Sequence, residues 1–281
     1  MHHNKPKISV IMTFYNCEAF LTDAIESILY QSFRDLELII INDASSDMSE
    51  EIIKHYLNID KRIIYIKNDI NRWKTYNSNL GIDRSSGEYI AIMDGDDISL
   101  LDRLEKQLDF LLKNNQVDVV WTQQVLIDIN NNIIWELLKP VESYDIRKNT
   151  LLFQTMNHPT MLIKKEVLNR FRYREAFSEF DDNDLFMRMF LSGVVWYNLP
   201  KKLYKYRIHN NNVNSKLLRK NALKYFQCQR NVIKLYNYTV SFKEMFFIYW
   251  YLITWLLLNS SQQRILQKYI KDILYPTKKL I

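Results

Sequence analysis

The sequence predicts an α/β protein with a mostly parallel sheet, a mixed second half and a helical C-terminal extension. Two observations carry this. The first hundred residues alternate short apolar runs with segments of helical periodicity, the pattern of strands joined by crossover helices. The apolar runs show little polar alternation, as strands buried on both faces require.

Taken in order, residues 8–14 predict a strand and 18–30 a helix, with Phe20, Leu21, Ala24, Ile25, Ile28 and Leu29 on one face. Residues 36–41 predict a second strand. A helix over 47–57 follows, opened by Asp47-Met-Ser-Glu50 at capping-box spacing. Next come a strand over 63–66, a helix over 75–84 and a fourth strand over 89–93, joined by right-handed crossovers. The pattern then becomes mixed: a helix over 101–112, a strand over 117–127, a turn at 130–132, a helix over 184–191, and an extended run over 194–208 broken at Pro200. The expected organisation is a body over 1–215, with halves 1–100 and 101–215, and a tail over 216–281.

Composition narrows the function. Forty-seven per cent hydrophobic and 25% charged residues are those of a folded globular chain of 281 residues. The four glycines (Gly81, Gly87, Gly95, Gly193) are too far apart for a GxGxxG or a P-loop, which excludes classical dinucleotide binding and P-loop phosphoryl transfer. Two cysteines, Cys17 and Cys228, make no framework, so a reducing compartment is expected. The start lacks an apolar signal region, so secretion is not expected. The net charge of +6 is uneven: residues 216–281 hold twelve Lys and Arg against Glu244 and Asp272.

Ligands of parallel sheets bind at the carboxyl ends of the strands. The polar residues after each strand should therefore converge on one rim: Thr13, Tyr15 and Asn16; Asn42 and Asp43; Asn68 and Asp69; Asp94, Asp96 and Asp97. Three carboxylates at one strand end repel one another unless something positive neutralises them. With oxygen ligands and no adjacent Cys or His, the expected neutraliser is Mg²⁺ or Mn²⁺, which commonly holds a phosphorylated substrate. The plain alternative is an acidic turn and a helix cap at Ser99.

The order of these motifs resembles the family 2 glycosyltransferases of the Rossmann-like GT-A fold. The similarity runs from Pro6 through Ile53 and continues in Asn79-Leu80-Gly81-Ile82, Gly87–Asp97, Arg103–Gln107, His158-Pro159-Thr160, Asp181–Arg188 and Tyr206-Arg207-Ile208-His209. The resemblance implies inverting transfer of a sugar from a nucleotide diphosphate donor, such as a UDP-sugar, to an acceptor hydroxyl. It implies nucleotide-binding roles for Thr13, Tyr15, Asp43, Asn79 and Asp94, with Asn42 standing where the family usually has Asp. It implies that Asp96 is the direct Mn²⁺ or Mg²⁺ ligand, with Asp94 near the ribose or metal and His209 near the metal or diphosphate, the alternative for His209 being a hydrogen-bonded surface residue. In the cluster Glu179-Phe-Asp-Asp-Asn-Asp184 it implies a catalytic base at Asp182, with Asp181 as the alternative.

Two rivals stand beside this reading: a phosphatase using Asp-x-Asp, and a non-catalytic nucleotide-sugar-binding or scaffold protein. For the tail, a membrane surface is expected rather than nucleic acid, because the basic residues flank the apolar run 245–258, which is shorter than the ~20 residues a spanning helix needs. The alternative is a helix buried against the body or a partner. The expected setting is the inner face of the cytoplasmic membrane, with a glycan or lipid-linked glycan acceptor, in bacterial surface polysaccharide, capsule or lipopolysaccharide synthesis.

Overall fold

The structure is a computed structural model that describes residues 5–137, 139, 141, 156–209, 218–258 and 262. The apolar runs form β1 (Ile8–Phe14), β2 (Leu36–Asn42), β3 (Ile63–Lys67) and β4 (Tyr89–Asp94), parallel and in the order β3-β2-β1-β4. Every residue of β2 is buried, as its unbroken apolar run requires. Helices α1 (Leu21–Leu29), α2 (Ser49–Ile59) and α3 (Trp73–Arg84) are the crossovers. Beyond β4 the sheet becomes mixed. It continues through β8 (Leu162–Lys164), β6 (Val119–Ile127), β9 (Trp196–Arg207) and β5 (Ile98–Ser99), with β7 (Ile133–Leu137) against β6. The remaining helices are α4 (Arg103–Lys113), α5 (Lys165–Phe171), α6 (Asp181–Leu191), α7 (Leu218–Leu235) and α8 (Phe242–Leu257).

Strand alternation divides the core into two layers. Val10, Met12, Leu38, Ile40 and Met93 pack with α1, α2 and α4 on one face. Ile11, Ile39, Ile41, Ile90 and Ile92 pack with α3, α5 and α6 on the other. The neighbours of β1 are β2 on one side and β4 on the other, so the carboxyl ends of β1 and β4 flank the point where the strand order reverses. Register sets Thr13 level with Asp94 and Phe14 level with Asn42.

Several expectations are corrected. Asp47 makes no capping box: it accepts from the backbone N–H groups of Glu18 and Ser49, clasping the loops after β1 and β2, while Glu50 pairs with Lys67. Pro200 does not break the extended run, because β9 bulges there: Leu199 and Lys202 pair with the consecutive residues Thr122 and Gln123 of β6, leaving Pro200 outside the pairing. Helix α6 starts at Asp181, three residues before its apolar periodicity, so the acid cluster lies in its first turn. Ser99 caps no helix and sits instead in β5. The turn at 130–132 is present, with Asn131 at φ 67° and Asp128 accepting from the backbone of Asn130 and Asn132.

Candidate active site

The rim forms as the strand ends dictate. After β1, Asn16 takes φ 51° and meets the loop after β2: its N–H donates to Ser45 Oγ, and its Oδ1 accepts from Ser46 N–H. Asn42, where the family usually has Asp, shapes that second loop by accepting from Ser45 N–H at 2.8 Å. Asp43 is buried. It accepts from Asn68 Nδ2 and Arg72 N at 2.8 Å each, and from Trp73 N at 2.9 Å. A carboxylate has about four lone-pair sites, so three donors leave room for one more. Tyr15 is exposed at the mouth of the rim.

The Asp-Gly-Asp-Asp turn finds its positive neighbours within the protein. Lys74 Nζ lies 2.7 Å from Asp94 Oδ1, His209 Nε2 lies 2.9 Å from Asp96 Oδ2, and Arg207 N–H donates to Asp97 Oδ1 at 2.8 Å. Burial pushes the Asp94 carboxyl up, but the Lys74 ammonium more than offsets it and holds Asp94 below the usual carboxylate range. Burial and the Asp94 charge hold Asp96 above that range despite His209. Asp97 is fully buried, and burial with its two acidic neighbours holds it well above that range. Gly95 is dictated by packing, since a Cβ there would stand 2.6 Å from Phe14 Cβ.

The second acid cluster reaches the same place across the first turn of α3. Thr75 Oγ1 donates to Asp181 Oδ2 at 3.2 Å, one residue along from the Lys74–Asp94 pair. Lys74 is also attracted by Asp181 and Asp182, which with Asp94 hold its ammonium charged against the pull of burial. Asp181 is buried and pushed up to about 7, by burial and then by the Asp182 charge. Asp182 is only half-buried; burial raises it while Lys74 pulls it back. Asp184 belongs elsewhere, fully buried in ion pairs with Arg174 and Arg188.

Other motif residues prove to be framework. Arg103 donates to the carbonyls of Ile92 and Pro159 and stacks on Tyr204, pinning the end of β4 to the His158–Thr160 turn. Buried His158, 2.7 Å from Tyr173 Oη, is pushed down to about 3 by burial and then by Lys74, so it stays neutral. Asn79, expected at the nucleotide, lies on α3. Its amide exchanges hydrogen bonds with the backbone of Tyr173, fastening α3 to the loop before the acid cluster.

Sequence reasoning missed Lys74 and Trp73. A lysine in the first turn of a helix opposes the macrodipole, which is the one local signal that Lys74 needs an acidic partner. Trp73, 72% exposed, holds φ 67° beside Asp43, a conformation costly for a bulky residue and typical of functional sites.

The profile described as Glycosyl transferase family 2 matches residues 9–191, more than half of the chain. The chain belongs to glycosyl transferase family 2. Among its family relatives, the Escherichia coli O-antigen biosynthesis glycosyltransferase WbnJ is 35% identical over 225 residues, covering 79% of this chain and 85% of WbnJ. Two solved structures share the fold. Staphylococcus aureus TarS in complex with UDP-GlcNAc aligns with TM-score 0.66 at 17% identity, over 86% of this chain and 69% of TarS. The Pyrobaculum calidifontis mannosyltransferase PcManGT in complex with GDP-Man and Mn²⁺ aligns with TM-score 0.61 at 14% identity, over 97% of this chain and 82% of that one. The family thus has a member in bacterial polysaccharide biosynthesis, and this chain is a transferase with the GT-A fold.

Proposed function

We propose that this transferase moves a hexosyl or N-acetylhexosaminyl group, with inversion, from a UDP-sugar to a hydroxyl of a growing glycan or lipid-linked glycan. The observation that carries the reading is the meeting of two acid clusters across α3: Lys74 on Asp94 and Thr75 on Asp181. One cluster borders the strand-order reversal where nucleotides bind in such sheets. The other supplies a half-buried carboxylate, Asp182, for an acceptor.

Each residue then has a task. Asp43 accepts a donor N–H of the base, and Tyr15 and Trp73 flank it with exposed rings. Asp182 takes the proton of the acceptor hydroxyl as it attacks the anomeric carbon. Buried Asp181 shares the pair's proton and stays anchored on Thr75. Lys74 places a positive charge between the two acid clusters, beside the departing diphosphate. Asp96 and His209 converge and fit a divalent cation such as Mn²⁺ or Mg²⁺. Among the described residues no group of three or more His, Cys, Asp or Glu is preassembled, so donor phosphate oxygens and water would complete the set. Bound there, the cation would supply charge that stabilises the leaving nucleoside diphosphate. One base and one leaving group suffice for single displacement, without the nucleophilic carboxylate that retention requires.

A thermal-shift panel of UDP- and GDP-sugars with Mn²⁺ tests the donor. A donor at about a hundred times its Kd stabilises by about 2.7 kcal/mol. Stabilisation by UDP-sugars and not by GDP-sugars is expected, and the reverse would overturn the UDP assignment.

A further inference from the structure

The hairpin of α7 and α8 has an outer surface that the transferase reaction does not use. Helix α8 is well formed, opened by a capping box in which Ser241 and Glu244 exchange hydrogen bonds. It meets α7 through the Phe226–Tyr249 ring contact at 5.3 Å, and Ile248 is buried. Its outer edge is different: Phe242, Met245, Phe246, Trp250, Ile253 and Leu257 are all exposed. Steps of three and four residues place them on one stripe along the helix. Water-soluble surfaces rarely leave so continuous an apolar strip uncovered.

We infer that this stripe is a membrane-docking face, on which α8 lies in the plane of an anionic phospholipid bilayer. Length excludes a span: sixteen residues make about 24 Å of helix against about 30 Å of hydrocarbon, and no helix among the described residues is long and apolar enough to cross. An in-plane helix needs an apolar face with aromatic anchors and basic flanks. Trp250, Phe242 and Phe246 supply the anchors, and exposed Lys243, Arg230 and Lys234 lie on the same hairpin. Charge also decides the occupant. Residues 216–281 hold twelve basic residues against two acids, so an anionic surface attracts them, whereas a second copy would set like charge against like.

The root of the hairpin gives the face a direction. Tyr225, Cys228 and Val232 of α7 pack with Met187 of α6, and Phe180 meets Tyr225 at 5.8 Å between ring centroids. Helix α6 carries Asp182 in its first turn. The docking face is thus fastened to the acceptor side, which suits an acceptor held in the same bilayer. That last consequence rests on the proposed transfer, but the docking itself does not.

The test is flotation of the full chain with vesicles of phosphatidylglycerol and phosphatidylcholine in about equal parts, against phosphatidylcholine alone, without donor. The wild type should float with the anionic vesicles, more weakly as salt rises. The triple variant Phe246→Ser, Trp250→Ser, Ile253→Ser should lose at least about tenfold in partition. Its thermal melting should stay near wild type, because all three side chains are exposed. Lys243→Glu, which keeps the stripe, should weaken binding at low salt. Equal flotation of wild type and triple variant would overturn the face, as would no flotation of either. A concentration-dependent dimer abolished by the triple variant, with no vesicle effect, would assign the stripe to a second copy instead.

Discussion

Asp94, Asp96 and Asp97 stand within four residues yet meet three different environments. Asp94 is a carboxylate held by Lys74, Asp96 faces His209, and Asp97 is a buried acid, raised by burial, that accepts from Arg207 N–H. Asp97→Asn keeps that acceptor and removes an ionisable group whose charged form burial disfavours. It should therefore change stability by no more than about 1 kcal/mol and leave turnover near wild type, read by denaturant unfolding and by UDP release. Asp96→Asn should instead abolish Mn²⁺-dependent nucleotide binding, because an amide lacks the charge a cation needs. Calorimetry with UDP and Mn²⁺ would contradict the assignment if that variant bound like wild type. The base pair sets the pH response. Asp182 must be ionised to accept a proton, and its carboxyl is raised by burial beside Asp181, which lies at about 7. A base with a raised pKa loses function at higher pH than an ordinary carboxylate, so kcat/KM should fall as pH drops from about 7 toward about 4. A profile flat down to about 4 would contradict it.

At the scale of elements, α3 organises the site through its first turn. Trp73 N–H reaches Asp43, Lys74 reaches Asp94, and Thr75 reaches Asp181. Three successive residues thereby tie together the loop after β2, the end of β4 and the start of α6. Lys74→Met should cut kcat/KM by about tenfold or more, since it removes a charge shared by both acid clusters, and Lys74→Arg should recover part of it. A Met variant as active as wild type would reduce the pair to a surface contact. Sequence patterning found the rim because each strand there is an apolar run ended by polar residues. It found the acids because Asp-x-Asp and the cluster before α6 are local in the chain. It could not find Lys74, whose partners lie twenty residues and more away, nor β8, whose three residues are too short for any period to register. The capping box failed for the same reason: Asp47 is occupied by Glu18 N–H, a contact no local spacing reveals.

At the scale of the molecule, the parallel half contributes Asp43 and the Asp94–Asp97 turn, and the mixed half contributes the acids of α6, Asp181 and Asp182. The parallel half was legible because buried strands and crossover helices write different periods into the chain. The mixed half was less so, since β9 bends past Pro200 and pairs with β6 and β5 far from it in sequence. The tail was legible as basic and aromatic, and the structure adds that its second helix presents an exposed apolar stripe while its first packs on α6. The central claim is that the two acid clusters form one site in which Asp182 is the base. Its most direct measurement is the single-turnover rate of sugar transfer from a UDP-sugar by Asp182→Asn, alongside the variant's donor Kd with Mn²⁺. Transfer slowed by about 10²–10⁴ with donor affinity unchanged is the predicted result. Transfer at the wild-type rate, or donor affinity lost along with it, would contradict the account.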